Sequence, residues 1–262
     1  MICVCIAETS VLDCLKALRG IEFAEVRLEK VKGITPEKVK TIMSSSARIV
    51  ATCRPEGGMS DKKREQILAA AIDNGATFID LEIESEEGYR KGLADAARRK
   101  GCGIIISYHN YELTPPSEEL KKIIGDCFKA GADIAKIACL ANSQQDNARL
   151  MDLIGPSRNV IAIGMGEKGA ITRITGPFLG SPFTYASLDT GKETAPGQMD
   201  YRTIQTAIDK LMQKMAAKNE ITGGLGGQNA GNRINIEEGE GKNKGGGEMP
   251  KKARKSGKAE RK

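Results

Sequence analysis

GADIAKIA, residues 131–138, sets one lysine, Lys136, inside an otherwise apolar run of strand length. Isoleucines and alanines on both sides of it are the composition of a short strand covered on both faces, as in a parallel sheet wrapped by helices. An ammonium in such a run calls for a use. Desolvation disfavours the charged form and is expected to lower the lysine pKa, which makes the amine a nucleophile able to form a Schiff base with a ketone. The alternative is a strand-end lysine whose ammonium reaches water along its own aliphatic stem.

Working outward, GIIISYHN (103–110) is the preceding strand and carries the only histidine, His109, at its C-terminal end. A parallel α/β sheet exposes its working residues there, so His109 is placed as a general base reaching toward the Lys136 strand. A lone histidine packed in the core or on the surface is the competing assignment. Upstream lie the strand-like runs ICVCIA (2–7), FAEVRLE (23–29), RIVATC (48–53) and ATFIDLEIE (76–84); downstream lie NVIAIGMG (159–166) and FTYASL (183–188). Helices are expected between them, with starts at Thr9-Ser10, Thr35-Pro36, Asp61, Ser85, Pro115-Pro116-Ser117, Asn142 or Ser143, and Asp200. Eight strands each followed by a helix is the arithmetic of an α/β fold, the (β/α)8 TIM barrel.

In that fold the loops after the strands build the site. Glu25 and Arg27 alternate on one strand and point the same way, into the barrel or out to solvent. Arg54 and Glu56 open RPEGG, where two glycines let backbone and charge approach a ligand. Asp80, Glu82 and Glu84 also alternate, and with no histidine nearby they are expected to line a strand end or a solvated mouth rather than a metal. Arg173, Thr194 and Gln198 fall after the last two strands. GMGEKG is only a weak phosphate-loop pattern, because no GxGxxG follows a first strand.

Composition limits the alternatives. The chain has 262 residues, is 40% hydrophobic, has no tryptophan and is 4% aromatic, so the core is expected to rest on Ile, Leu, Val, Ala and Met. Of 40 Lys+Arg and 34 Asp+Glu, 10 and 5 fall from Ile221 on, leaving a nearly neutral 30 and 29 before it. Five of the net +6 charges therefore belong to the tail. Seven cysteines with no CxxC pair point to free thiols in a reducing cytoplasm. No apolar stretch is long enough for a membrane span, and the chain is expected to be soluble and cytoplasmic. Residues 219–262 are Gly/Lys-rich, too poor in apolar groups to fold alone, and expected to be disordered and dispensable for catalysis. The barrel is assigned to residues 1–218.

The motifs EVRLE, RPEGG, SYHNY, IAKIA, GAITRI and TAPGQ, in this order, resemble the type I 3-dehydroquinate dehydratases of the shikimate pathway, over about the first 215 residues. The resemblance implies a carbon–oxygen lyase that eliminates water from 3-dehydroquinate to give 3-dehydroshikimate, in aromatic amino acid biosynthesis. It implies a Schiff base on Lys136, proton transfer by His109, and Glu56 orienting that histidine. Arg173 would meet the substrate carboxylate, while Glu25, Arg27, Arg54, Thr194 and Gln198 would hold the ring. Cys5 and Thr194 depart from the serines of some relatives, and Cys5 is the poorer hydrogen-bonding group.

No metal or organic cofactor is called for. The partner implied is the small-molecule substrate; a homodimer is left open, no membrane partner is expected, and nucleic acid only through the tail. Two rival functions stand beside this one. Another Schiff-base barrel lyase, such as an aldolase, would act on a phosphosugar. A nucleic-acid-associated barrel would act through its basic tail and bind RNA without Lys136.

Overall fold

The eight apolar runs form eight strands: β1 (Ile2–Ile6), β2 (Phe23–Arg27), β3 (Arg48–Thr52), β4 (Phe78–Glu82), β5 (Gly103–Asn110), β6 (Ile134–Leu140), β7 (Val160–Met165) and β8 (Thr184–Ser187). Each is followed by a helix: α1 (Val11–Ala17), α2 (Pro36–Met43), α3 (Asp61–Asp73), α4 (Glu87–Lys100), α5 (Ser117–Lys129), α6 (Gln144–Met151), α7 (Thr172–Leu179) and α8 (Tyr201–Gly224). This computed structural model describes residues 1–56, 58–156 and 158–224. Gly57 of the RPEGG loop and residues 225–262 lie outside the described residues; of the segment 219–262 expected to be disordered, residues 219–224 continue α8. Met1–Ala216 form one compact unit.

Every ladder is parallel, in the order β7-β6-β5-β4-β3-β2-β1-β8, which makes a (β/α)8 barrel closed except between β7 and β8. At its C-terminal end that seam is stitched by the segment before α8. Gly166 N donates to Pro196 O at 2.9 Å, and Ser187 N to Met199 O at 2.9 Å. Gly197 has φ +68°, and a Cβ there would lie 2.2 Å from the Gly166 carbonyl oxygen. Only glycine satisfies both the left-handed backbone and that approach.

Local chemistry sets the helix starts. Ser10, Thr35, Ser60 and Ser143 accept from a backbone N–H in the first turn, and Ser143 with Asp146 forms a reciprocal capping box. Ser60, not the expected Asp61, caps α3, because its backbone is extended while Asp61 is already helical. The second strand stops at Arg27 rather than Glu29, where a short 3-10 turn begins.

The core has two layers. Outside the barrel, Ile67, Leu68, Ile79, Leu93 and Ile104 pack helices on strands, as the aliphatic composition predicts. Inside, the sparse aromatics are concentrated: Phe23 and Phe183 meet edge to face at 4.9 Å, and Phe78 lies beside both. Gly103 makes room for that floor, since a Cβ there would sit 2.4 Å from the Phe78 ring. Above the floor the barrel interior turns charged.

Candidate active site

Strand register places the reactive groups. Ser107 on β5 pairs with Lys136 on β6, and His109 pairs with Ala138. His109 therefore stands two residues nearer the C-terminal end than Lys136, about 6.6 Å along the strand. Both line a cavity of about 250 Å³ at that end. All nine sequence-predicted side chains, Glu25, Arg27, Arg54, Glu56, His109, Lys136, Arg173, Thr194 and Gln198, line the same cavity.

Lys136 is only 5% exposed. Its Nζ donates to Asp80 Oδ2 at 3.0 Å and lies 3.6 Å from Glu25 Oε1. Burial works to depress the amine, but these two carboxylates outweigh it and the lysine pKa is raised. The expectation of a lowered pKa is thus corrected: the resting group is an ammonium, held by paired charge. Burial alone would have neutralised it; the partners that reverse the sign come from β2 and β4.

Asp80 is the acid that the sequence placed wrongly. Rather than lining a solvated mouth, it is fully buried, and its Oδ1 accepts from Ser107 Oγ at 2.6 Å and from Arg54 Nη2 at 3.0 Å. Burial pushes its carboxyl up, yet Arg54 and Lys136 hold it well below the usual carboxylate range. Arg54 also pairs with Glu82 Oε1 at 2.8 Å. Glu25 is kept ionised in the same way, against burial, by Lys136, and accepts from Thr52 Oγ1 at 2.9 Å.

His109 is pushed well below its ordinary value, first by burial and then by the cations of Arg54 and Lys136. It is neutral at pH 7 and able to take a proton. Its ring stacks near Tyr111, centroids 6.2 Å apart.

Glu56 stands at the rim, half exposed, with its carboxylate held by Arg27 at 2.7 Å and by Lys30. Arg27 in turn donates to the buried Glu29 at 2.6 Å. No hydrogen bond joins Glu56 to His109 among the described residues. The structure brings Glu56 to the cavity but not into contact with the histidine.

Arg173, also lining the cavity, is 2% exposed. Its guanidinium makes one long hydrogen bond, Nη1 to Tyr185 O at 3.5 Å, and its Nε has no partner. Desolvation lowers it to about 10. It is a buried cation lining the cavity with no acidic partner among the described residues. Gln198 is fixed: Thr194 N and Oγ1 donate to its Oε1 at 2.7 and 3.0 Å, and its Nε2 donates to Cys5 Sγ at 3.2 Å. Burial pushes the Cys5 thiol up to about 12, so it acts here as a neutral acceptor.

Sequence reasoning passed over Ser107 and Tyr185 as well. Ser107 carries no signal beyond its place two residues before His109. Tyr185 lies within a strand-like run and offers none.

No cluster of three or more metal-ligating side chains, and no helix long and apolar enough to cross a membrane, occurs among the described residues.

Residues 2–215 match the type I 3-dehydroquinase family. A 3-dehydroquinate dehydratase from Methanococcus maripaludis is 35% identical over 216 residues, covering 79% of this chain and 98% of that protein. The crystal structure of the 3-dehydroquinate dehydratase from Aquifex aeolicus is similar with a TM-score of 0.67 and 31% identity, over 80% of this chain and 98% of that one. The type I 3-dehydroquinate dehydratase of Clostridium difficile, at 23% identity, shares the fold with a TM-score of 0.73, over 81% and 92%.

Proposed function

Because the chain belongs to the type I 3-dehydroquinase family, an assignment of carbon–oxygen lyase, we propose that it dehydrates 3-dehydroquinate through a Schiff base on Lys136. The observation that carries this is the cavity itself. A buried lysine, the only histidine and an arginine with no acidic partner among the described residues line one volume of about 250 Å³.

The lysine must first lose a proton, which is uphill because Asp80 and Glu25 favour the ammonium and burial disfavours a charged His109, so the imidazole carries that proton only transiently. The amine then adds to the ring ketone, and the adduct's hydroxyl leaves as water with the proton that His109 returns, giving a protonated imine beside a neutral His109. That cation withdraws electrons from the neighbouring carbon, whose proton His109 removes. The electron pair moves toward the nitrogen and returns as the ring hydroxyl departs, taking the proton from His109 to leave as water. Hydrolysis of the imine frees the lysine and 3-dehydroshikimate.

Arg173 takes the substrate carboxylate, a match for its planar fork. Glu25, Arg27, Arg54, Thr194 and Gln198 hold the ring hydroxyls. Glu56 orients His109 only after leaving its pairs with Arg27 and Lys30, so substrate that engages Arg27 would release it. The product serves the shikimate pathway, in the cytoplasm. The test is direct: follow the enone absorbance of the product with 3-dehydroquinate as substrate, for the parent and for Lys136→Met. Turnover in the parent and none in the variant is expected; cleavage of a phosphosugar in place of dehydration would favour an aldolase.

A further inference from the structure

We propose that the π face of Tyr185 is the seat of positive charge on the Lys136 nitrogen, first as ammonium and then as the protonated imine. Lys136 Nζ lies 4.2 Å from the centroid of the Tyr185 ring, and Asp80 and Glu25 are its ion-pair partners. The ring lines the cavity, is 2% exposed, and is braced from below by Phe183 with centroids 5.4 Å apart. Such a desolvated cation over an aromatic face is attracted by the ring quadrupole.

The reason this contact matters is a count of protons. An ammonium has three N–H groups, whereas a protonated imine nitrogen has one. Lys136 makes one hydrogen bond to a carboxylate, Asp80, with Glu25 3.6 Å away as an ion pair, and the imine's single N–H can serve no more than one of them. Attraction to a π face needs no N–H donor, so the Tyr185 contact does not compete with the carboxylates for the one proton that the imine keeps. The Tyr185 hydroxyl is buried and has no hydrogen-bond partner, which singles out the ring, not the hydroxyl, as the working part. Loss of that ring would weaken the iminium and lower the population from which proton removal starts.

The inference rests on Lys136 forming an imine, and the experiment separates the two. In the full chain, position 185 is replaced by Phe and then by mono-, di- and trifluorophenylalanine, which keep the ring's shape while draining its face of negative charge. Turnover and the fraction trapped by borohydride with 3-dehydroquinate are measured. Phe is expected within about threefold of the parent, and the trifluoro ring to lose about 2- to 30-fold in kcat and in trapped imine, progressively, with the thermal midpoint steady. Tyr185→Leu should lose as much, and if it fails to fold the fluorinated series still decides. A flat series with normal trapping overturns the role of the ring; no trapping in the parent overturns the Schiff base and the inference with it.

Discussion

Asp80→Asn isolates the charge that holds the site together. The substitution keeps volume and one carbonyl oxygen but removes the anion that accepts from Lys136, Arg54 and Ser107 at 3.0, 3.0 and 2.6 Å. Removing one member of a buried ion pair costs about 3–5 kcal/mol, because the surviving charge stays buried and uncompensated. Glu25 at 3.6 Å from Lys136 and Glu82 at 2.8 Å from Arg54 remain, which places the loss toward the lower end. For a unit of this size each kcal/mol moves the midpoint by about 2–4 °C, so a fall of at least roughly 6 °C is expected. Thermal and urea unfolding measure it, and a cycle with Lys136→Met apportions it. Lys136→Met removes the orphaned ammonium, so the double variant should recover part of the loss, with a coupling of about 1–3 kcal/mol. A loss under about 1 kcal/mol, or strict additivity, would mean that Asp80 behaves as an exposed charge and would refute the buried-network reasoning.

Three further outcomes follow from the same geometry. His109→Ala should still form the imine yet turn over about 100- to 10,000-fold more slowly, with a borohydride adduct retained; near-normal turnover would remove His109 from the mechanism. Arg173→Met should lower kcat/KM by roughly 10- to 150-fold while leaving the free protein as stable or more so, since it deletes a buried cation with no anionic partner; a drop in midpoint would show an unseen partner. His109 has a folded pKa below the 6.5 of the unfolded chain, so its contribution to stability is present above pH 6.5 and is lost as pH falls toward the folded value. His109→Gln should flatten the stability slope just below that pH, and the acid limb of kcat/KM in the parent should lie below the ordinary histidine range.

The barrel was legible because each strand is an apolar run followed by a helix, most with a start signal in the sequence, and these signals are local. The cavity was legible because working residues must fall at strand ends, which located His109, Arg54 and Arg173 without any contact being known. What escaped depends on partners distant in sequence. The direction of the Lys136 shift could not be read from IAKIA, since it is set by Asp80, 56 residues away, and by Glu25 on a third strand. Asp80 itself sits in FIDLE with apolar neighbours, and the argument that singled out Lys136 applies to it equally. The role of Tyr185 needs β8 to close beside β1, a topological fact that no window of sequence contains.

Borohydride reduction in the presence of 3-dehydroquinate, followed by mass mapping of the modified peptide, tests the central claim most directly. A substrate-derived adduct on Lys136 is expected. Folded protein with authentic substrate and no adduct on Lys136 would contradict Schiff-base catalysis at this site.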